Sequence, residues 1–191
     1  MSQEYVEEQV FEGINAKEGT FQRALYEYCI FKNCDFSNAD LFDFKFSECE
    51  FLNCDLSMMN VKQVAFRNVK FVDCKMMGIH FENCNELGLS FSFERCRLDH
   101  SSFYGMKIKK TRFSQSQLHE TDFTECDLTQ SVFDECDLLR AFFENTIVEK
   151  ADFQTAFNYI IDPERNRIKK ARFSLQGVSG LLTKYDIQIK N

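Results

Sequence analysis

Large apolar residues return along this chain every five positions. In residues 29–54, CIFKNCDFSNADLFDFKFSECEFLNC, phenylalanine stands at 31, 36, 46 and 51, and cysteine at 29, 34, 49 and 54. A helix repeats about every 3.6 residues and a strand about every 2, so neither produces this spacing. With the large position written i, one run reads Phe11, Ala16, Phe21, Tyr26, Phe31, Phe36, Leu41, Phe46, Phe51, Leu56, Val61, Phe66, Phe71, Met76, Phe81. A second reads Phe93, Leu98, Phe103, Ile108, Phe113, Leu118, Phe123, Leu128, Phe133, Leu138, Phe143, Val148, Phe153. The runs are two residues out of phase, and NELGLSF (85–91) must absorb the shift. Position i−2 is small: eight of the nine cysteines occupy it within these runs, Cys84 falls in the same register just past Phe81, and Ala, Ser, Thr or Val fill most of the rest. Positions i−1, i+1 and i+2 are mostly polar. The pattern predicts one large and one small inward side chain per repeat.

The stretches DFSNADLFDF and HETDFTECDLTQSVFDECDLLRAFF carry the motif A(D/N)LXX. Over residues 11–158 the pattern resembles the pentapeptide-repeat family. The resemblance implies an all-β fold, a right-handed quadrilateral β-helix with four repeats to each square coil. The expected organisation is an N-terminal cap over 1–10, the solenoid over 11–158 with a two-residue bulge near 85–91, and a terminal coil, capping and dimerisation segment over 159–191. Four repeats per coil would stack residues twenty apart. Residues 11, 31, 51 and 71 are all Phe, and beyond the shift so are 93, 113, 133, 153 and 173. Phe103, Phe123 and Phe143 would line the opposite wall, with Leu98, Leu118, Leu138 and Ile108, Leu128, Val148 on the walls between. Alternating aromatic and aliphatic walls fill a narrow interior at native density.

The end of the chain, NYIIDPERNRIKKARFSLQGVSGLLTKYDIQIKN, leaves the pattern around Asp162-Pro163 and resumes it at Ile168 and Phe173. Leu175, Val178, Leu181, Leu182 and Tyr185 follow at spacings suited to a short amphipathic helix, interrupted by Gly177 and Gly180. Ile187 and Ile189 then alternate as in a strand. Two readings fit: a cap on the last coil, or a homodimer contact that buries the exposed end by two-fold symmetry. Leu181, Leu182, Tyr185, Asp186, Ile187, Ile189 and the segment DPERNRI (162–168) resemble the C-terminal module of Qnr-type and microcin-immunity pentapeptide proteins. That resemblance implies the homodimer, with Leu175, Val178, Leu181, Leu182, Tyr185, Ile187 and Ile189 at its interface. The bulge at 85–91 is either an incidental insertion at a corner or a partner-contacting loop, much shorter than the loops of Qnr-type proteins.

Composition narrows the chemistry. The chain has 191 residues with a single Pro and seven Gly, enough for one domain with a real interior and too few breakers for a loop-rich one. No stretch approaches the ~18 apolar residues of a membrane span. The start, MSQEYVEEQVFEG, lacks the features of a signal peptide. A cytoplasmic location with reduced cysteines is therefore expected. Spacings of the C-x4-C kind put neighbouring cysteines on different walls, so Cys34, Cys54, Cys74, Cys96 and Cys136 read as one buried ladder rather than a metal site. His80, His100 and His119 belong to no catalytic or metal motif. No cofactor and no enzymatic activity are expected of a filled tube.

Net charge is −7, which disfavours direct binding of nucleic acid by a generic basic patch. Residues 121–162 hold ten acidic and two basic side chains, whereas residues 61–120 hold six and ten. Asp122, Glu125, Asp127, Asp134, Glu135, Asp137, Glu144, Glu149 and Asp152 all occupy outward positions. The Qnr-type resemblance implies a DNA-mimicking rod that binds DNA gyrase or topoisomerase IV and protects it from quinolone- or microcin-type poisons. Those nine carboxylates would then be the partner-binding surface. Lys107, Lys109, Lys110 and Arg112 interrupt the mimic. The alternative is a structural scaffold for a protein partner unrelated to topoisomerases.

Overall fold

The computed structural model describes residues 4–16 and 21–189. Within them lie the short strands β1 (Glu4–Glu7), β2 (Val10–Glu12), β3 (Ala24–Glu27), β4 (Ile30–Lys32), β5 (Lys45–Ser47), β6 (Glu50–Leu52), β7 (Ala65–Arg67), β8 (Val69–Val72), β9 (Phe91–Glu94), β10 (Arg112–Ser114), β11 (Val132–Asp134), β12 (Asp152–Phe153) and β13 (Arg172–Phe173). One short α-helix, α1 (Ser179–Leu182), follows, flanked by 3-10 turns at Gln176–Val178 and Thr183–Tyr185. The strands pair only in parallel and wind into a β-solenoid of about 8 turns.

Four ladders define four walls. The first is a nine-stranded sheet of β2, β4, β6 and β8 to β13. The second is the bridge series Asn15, Asp35, Asp55, Lys75, Arg97, Gln117, Asp137, Phe157. The third runs through Asp40 and Asn60, then His80, Ser102, Asp122 and Phe142. The fourth begins as the sheet β1-β3-β5-β7 and continues as Lys107, Asp127, Ile147 and Arg167. β1 pairs in register with β3, Glu4 opposite Ala24, so the first coil starts inside the 1–10 segment assigned above to a cap.

The first wall carries the phenylalanine column. Phe11, Phe31, Phe51, Phe71, Phe93, Phe113, Phe133, Phe153 and Phe173 stack with ring centroids 4.6–5.4 Å apart. A parallel ladder sets neighbouring strands ~4.8 Å apart, close to the stacking distance of aromatic rings, so backbone and side chains share one repeat length. Phe81, Phe103, Phe123 and Phe143 form a second pile on the opposite third wall, edge-on to the first.

Most repeats turn their corner at i+2, where the backbone is left-handed. Asn33, Asn53, Glu125 and Gln130 have φ of 52°, 53°, 58° and 64°. This conformation costs an L-residue ~1–2 kcal/mol, least for Asn and Asp. The corner amide offsets the cost by donating to the next coil, as in Asn33 N–H to Leu52 O at 3.0 Å and Glu125 N–H to Glu144 O at 2.8 Å. Aspartate or asparagine at i−1 prepares the same bend. Asp35, Asp55, Asp122, Asp127 and Asp137 each accept, through Oδ1, the amide two residues on. This local turn is the physical content of the (D/N) in the motif.

The phase shift is confined to the fourth wall. Phe71 pairs with Phe93, and His80 bridges Ser102, so the other walls stay in register across it. Asn85 N–H bonds Val64 O and Ser90 N–H bonds Phe66 O, both at 2.9 Å, while Leu87 between them is 75% exposed. Phe91 occupies an i−2 position, where small residues are the rule. It is buried, 5.6 Å from Phe81 and 5.0 Å from Phe93, in the space the displaced wall would have filled.

At the C-terminal end the register breaks at Asn158, earlier than the Asp162-Pro163 point read from sequence. Asn158 is exposed, and Tyr159 turns inward in its place, followed by buried Ile161 and Asn166. α1 packs across this coil through Ile161 N–H to Gly180 O at 3.1 Å. A Cβ at Gly180 would lie 2.2 Å from the Tyr159 carbonyl oxygen, and one at Gly177 would meet the Tyr159 hydroxyl. These glycines, which weaken the helix by propensity, are what let the segment lie on the coil. Ile187–Ile189 forms no strand, contrary to its alternation. A short strand needs a ladder partner, and none is supplied here by the described residues.

Candidate interaction surface

The nine outward carboxylates are distributed over all four walls. Asp134, Glu135 and Asp152 flank the first, Asp137 the second, Asp122, Glu125 and Glu144 the third, and Asp127 and Glu149 the fourth. They ring the tube rather than stripe it.

Six of them are already matched by a basic side chain or histidine. Asp134 meets Arg112 at 2.8 Å, Glu144 meets Arg165 at 3.1 Å, Glu149 meets Arg167 at 2.8 Å and Asp152 meets Arg172 at 2.5 Å. Asp127 lies 3.1 Å from Lys109, and Asp137 lies 2.8 Å from His119. Most of these partners sit one coil away, because a twenty-residue register stacks outward side chains as faithfully as inward ones. Burial opposes the charge at Asp137, but hydrogen bonds from His119, Asn158 and the Leu139 amide outweigh it and hold the carboxyl below the ordinary range. Among the nine, Asp122, Glu125 and Glu135 have no basic partner within the described residues.

Asp122 and Glu125 share the third wall with exposed aromatic rings. Tyr104 and Phe142 are 46% and 56% exposed, one coil below and one coil above Asp122. An open groove beside Phe142 is lined by Arg140, Glu144, Ile160 and Lys184, and Leu139 stands exposed on the second wall. These apolar side chains were missed in reading the sequence. The signal was available: Leu139 and Phe142 stand at i+1 and i−1, positions that are mostly polar along the chain.

The C-terminal residues divide. Leu181 packs against the core, so it serves the cap whatever else the segment does. Val178 and Leu182 are half-buried, and Leu175, Tyr185, Ile187 and Ile189 are exposed. Tyr185 donates its hydroxyl hydrogen to Glu164 at 2.9 Å, while Lys184 bridges Asp162 and Glu164 at 2.8 and 2.6 Å. The cysteines are all buried and unpaired. Cys54, Cys74 and Cys96 donate to carbonyls of the preceding coil, from Phe31, Phe51 and Phe71, at 3.3–3.4 Å. Burial pushes the thiols of Cys49 and Cys136 up to about 12.

Residues 29–68 match the family description "Pentapeptide repeats (8 copies)", and residues 79–153 match "Pentapeptide repeat region". The chain belongs to the pentapeptide-repeat family. No curated protein matches the sequence. Among solved structures, this pentapeptide-repeat chain is similar to QnrB1, described as a plasmid-mediated fluoroquinolone resistance protein. A trypsin-treated variant of QnrB1 matches with a TM-score of 0.63 at 15% identity, covering 98% of this chain and 92% of that one. Full-length QnrB1 matches with a TM-score of 0.58 at 16% identity, covering 96% and 100%. At this identity the likeness shows the pentapeptide-repeat fold. Among the described residues no helix is long and apolar enough to cross a membrane.

Proposed function

We propose that this protein is a non-enzymatic binding protein of DNA gyrase or topoisomerase IV, acting in the cytoplasm as a homodimer joined through its C-terminal segment, and that it protects the enzyme from quinolone- or microcin-type poisons. The observation that carries the reading is the third wall, where Asp122 and Glu125, without a basic partner, flank the exposed rings of Tyr104 and Phe142. Carboxylates left without a cation steer a partner with a basic, DNA-binding surface, and exposed aromatics anchor it once docked. The shared fold with a fluoroquinolone resistance protein supports the choice of partner. Exposed Leu175, Ile187 and Ile189 support the dimer, since two-fold pairing covers them.

The test is a supercoiling and cleavage-complex assay with purified gyrase, a quinolone and a titration of this protein. Protection is expected for the wild type and is expected to fall for Asp122→Asn/Glu125→Gln/Phe142→Ala. No binding to gyrase at low salt, together with no protection, would refute the reading. The second reading, a scaffold for an unrelated protein, is favoured by the five carboxylates paired with Lys or Arg within the chain, which leave no uniform DNA-like field. A pull-down from lysate dominated by another protein, with gyrase absent, would support it.

A further inference from the structure

The fourth wall beyond the bulge has the opposite character to the rest of the molecule. Its bridge series is Lys107, Asp127, Ile147 and Arg167. Two and three residues further on in the same coils stand Lys109, Thr129, Glu149 and Lys169, then the left-handed corners Lys110, Gln130, Lys150 and Lys170. Seven of these twelve outward positions are basic and two are acidic. The two acids are occupied, Asp127 by Lys109 and Glu149 by Arg167. The ammonium groups of Lys107, Lys110, Lys150, Lys169 and Lys170 are exposed and meet no carboxylate among the described residues. A protein of net charge −7 thus gathers a strongly positive field on one side of four successive coils.

The sum over the whole chain does not cancel that field. Facing walls of a packed interior lie ~10 Å apart, while the Debye length in physiological salt is ~8 Å. Carboxylates across the tube are therefore screened from a ligand lying on the fourth wall. The expectation that the protein does not bind nucleic acid directly rested on that sum.

We infer that the fourth wall of coils 106–110, 126–130, 146–150 and 166–170 is a contact surface for the phosphate backbone of duplex nucleic acid. Three features favour this partner over an acidic protein or a single strand. The wall exposes no aromatic ring and only half-buried Ile147, so it lacks the anchors on which protein interfaces depend. Without aromatics it also offers no platform for unstacked bases. A rigid row of lysines needs neither, since backbone binding is driven by release of condensed counterions. The four rungs span ~14 Å at ~4.8 Å each, a length over which a duplex presents about eight charges. Lysine ammonium groups act as point charges and read no base edges, so the contact is independent of sequence.

This contact does not rest on the topoisomerase reading, and no enzyme is present in its test. Fluorescence anisotropy of a labelled duplex is followed with the full chain at two salt concentrations, about 50 and about 200 mM. Binding at the lower concentration is expected to weaken about a hundredfold at the higher, as release from about four phosphates requires. The combined variant Lys107→Gln/Lys110→Gln/Lys150→Gln/Lys169→Gln/Lys170→Gln should lose binding with its circular dichroism unchanged. The same five changed to Arg should retain it, and Asp122→Asn/Glu125→Gln should leave it intact. Absence of binding at low salt, or binding that survives the five Gln substitutions, overturns the inference. Tighter binding of polyglutamate than of the duplex at equal charge also overturns it and assigns the wall to an acidic protein.

Discussion

Truncating one ring in the middle of the aromatic column is the most direct test of what holds the tube together. Phe113 is fully buried, stacked at 5.1 Å on Phe93 and 4.9 Å on Phe133, and edge-on to Phe103 and Phe123 at 5.9 Å each. Replacing a core Phe with Ala costs ~3–5 kcal/mol, rising with the cavity that remains. Here the cavity cannot collapse, because the coils above and below are fixed at strand spacing by their own hydrogen bonds. Phe113→Ala should therefore sit at the upper end, ~5 kcal/mol. Phe173 is half-buried on the last rung, stacked only on Phe153 at 5.4 Å, with Tyr159 tilted beside it. Its truncation should cost ~2 kcal/mol. With a guanidinium slope of ~4 kcal/mol/M, the midpoints should fall by more than ~1 M and by ~0.5 M respectively. Because each coil touches only its neighbours, the interior variant should also broaden the transition. The measurement is far-UV circular dichroism against guanidinium chloride. Equal shifts for the two variants, or a shift below ~0.3 M for Phe113→Ala, would show that the column is not what couples the coils.

Other outcomes follow from the same geometry. Gly180→Ala places a Cβ against the Tyr159 carbonyl oxygen and should undock α1. Trypsin cleavage at Lys184 should then quicken about tenfold, equivalent to ~1.4 kcal/mol of lost docking, while the solenoid's dichroism stays constant; unchanged cleavage would mean the segment is held elsewhere. Burial opposes the charge of Asp127, yet hydrogen bonds from Thr129 and the contact with Lys109 keep its carboxyl below the ordinary range. Its contribution is present above the unfolded pKa of ~3.9 and lost as pH falls through the folded value. Asp127→Asn, which retains the turn acceptor, should cost ~1 kcal/mol at neutral pH and close that gap in acid; a gap constant with pH counts against the ion pair. The buried thiols should resist a disulfide reagent at pH 8 until the chain unfolds, whereupon all nine react. Rapid native labelling would place some of them outside the core.

The sequence made the interior almost fully legible, because inward positions obey a single steric rule. One large and one small side chain per five residues fit, and Phe81, Phe103 and Phe123 stand where that rule puts them. It failed at Phe91 and Tyr159, where a coil departs from the square and a large ring moves to compensate. The period cannot announce such repairs, since they depend on which space the departure leaves empty. The outside was less legible for a different reason. Outward residues were weighed by position along the chain, as acidic and basic stretches, whereas charge acts through the twenty-residue stacking that sets Glu144 beside Arg165 and Lys107 in line with Arg167. Sorting outward residues by wall, before summing charge, would have separated the third wall from the fourth.

The wedge made by Phe91 has a consequence for how such a rod can diversify. Since that ring helps seal the interior where the fourth wall steps aside, the segment from Asn85 to Ser90 is anchored by Val64 and Phe66 at its ends and by Leu89 on the core, while Leu87 at its tip accepts the Arg67 side chain at its carbonyl and stands open to solvent. A peptide spliced in beside Leu87 would be displayed halfway along a stiff shaft without disturbing the stack beneath it. The fold therefore contains a ready grafting point, where recognition of a new target can be acquired without renegotiating the core.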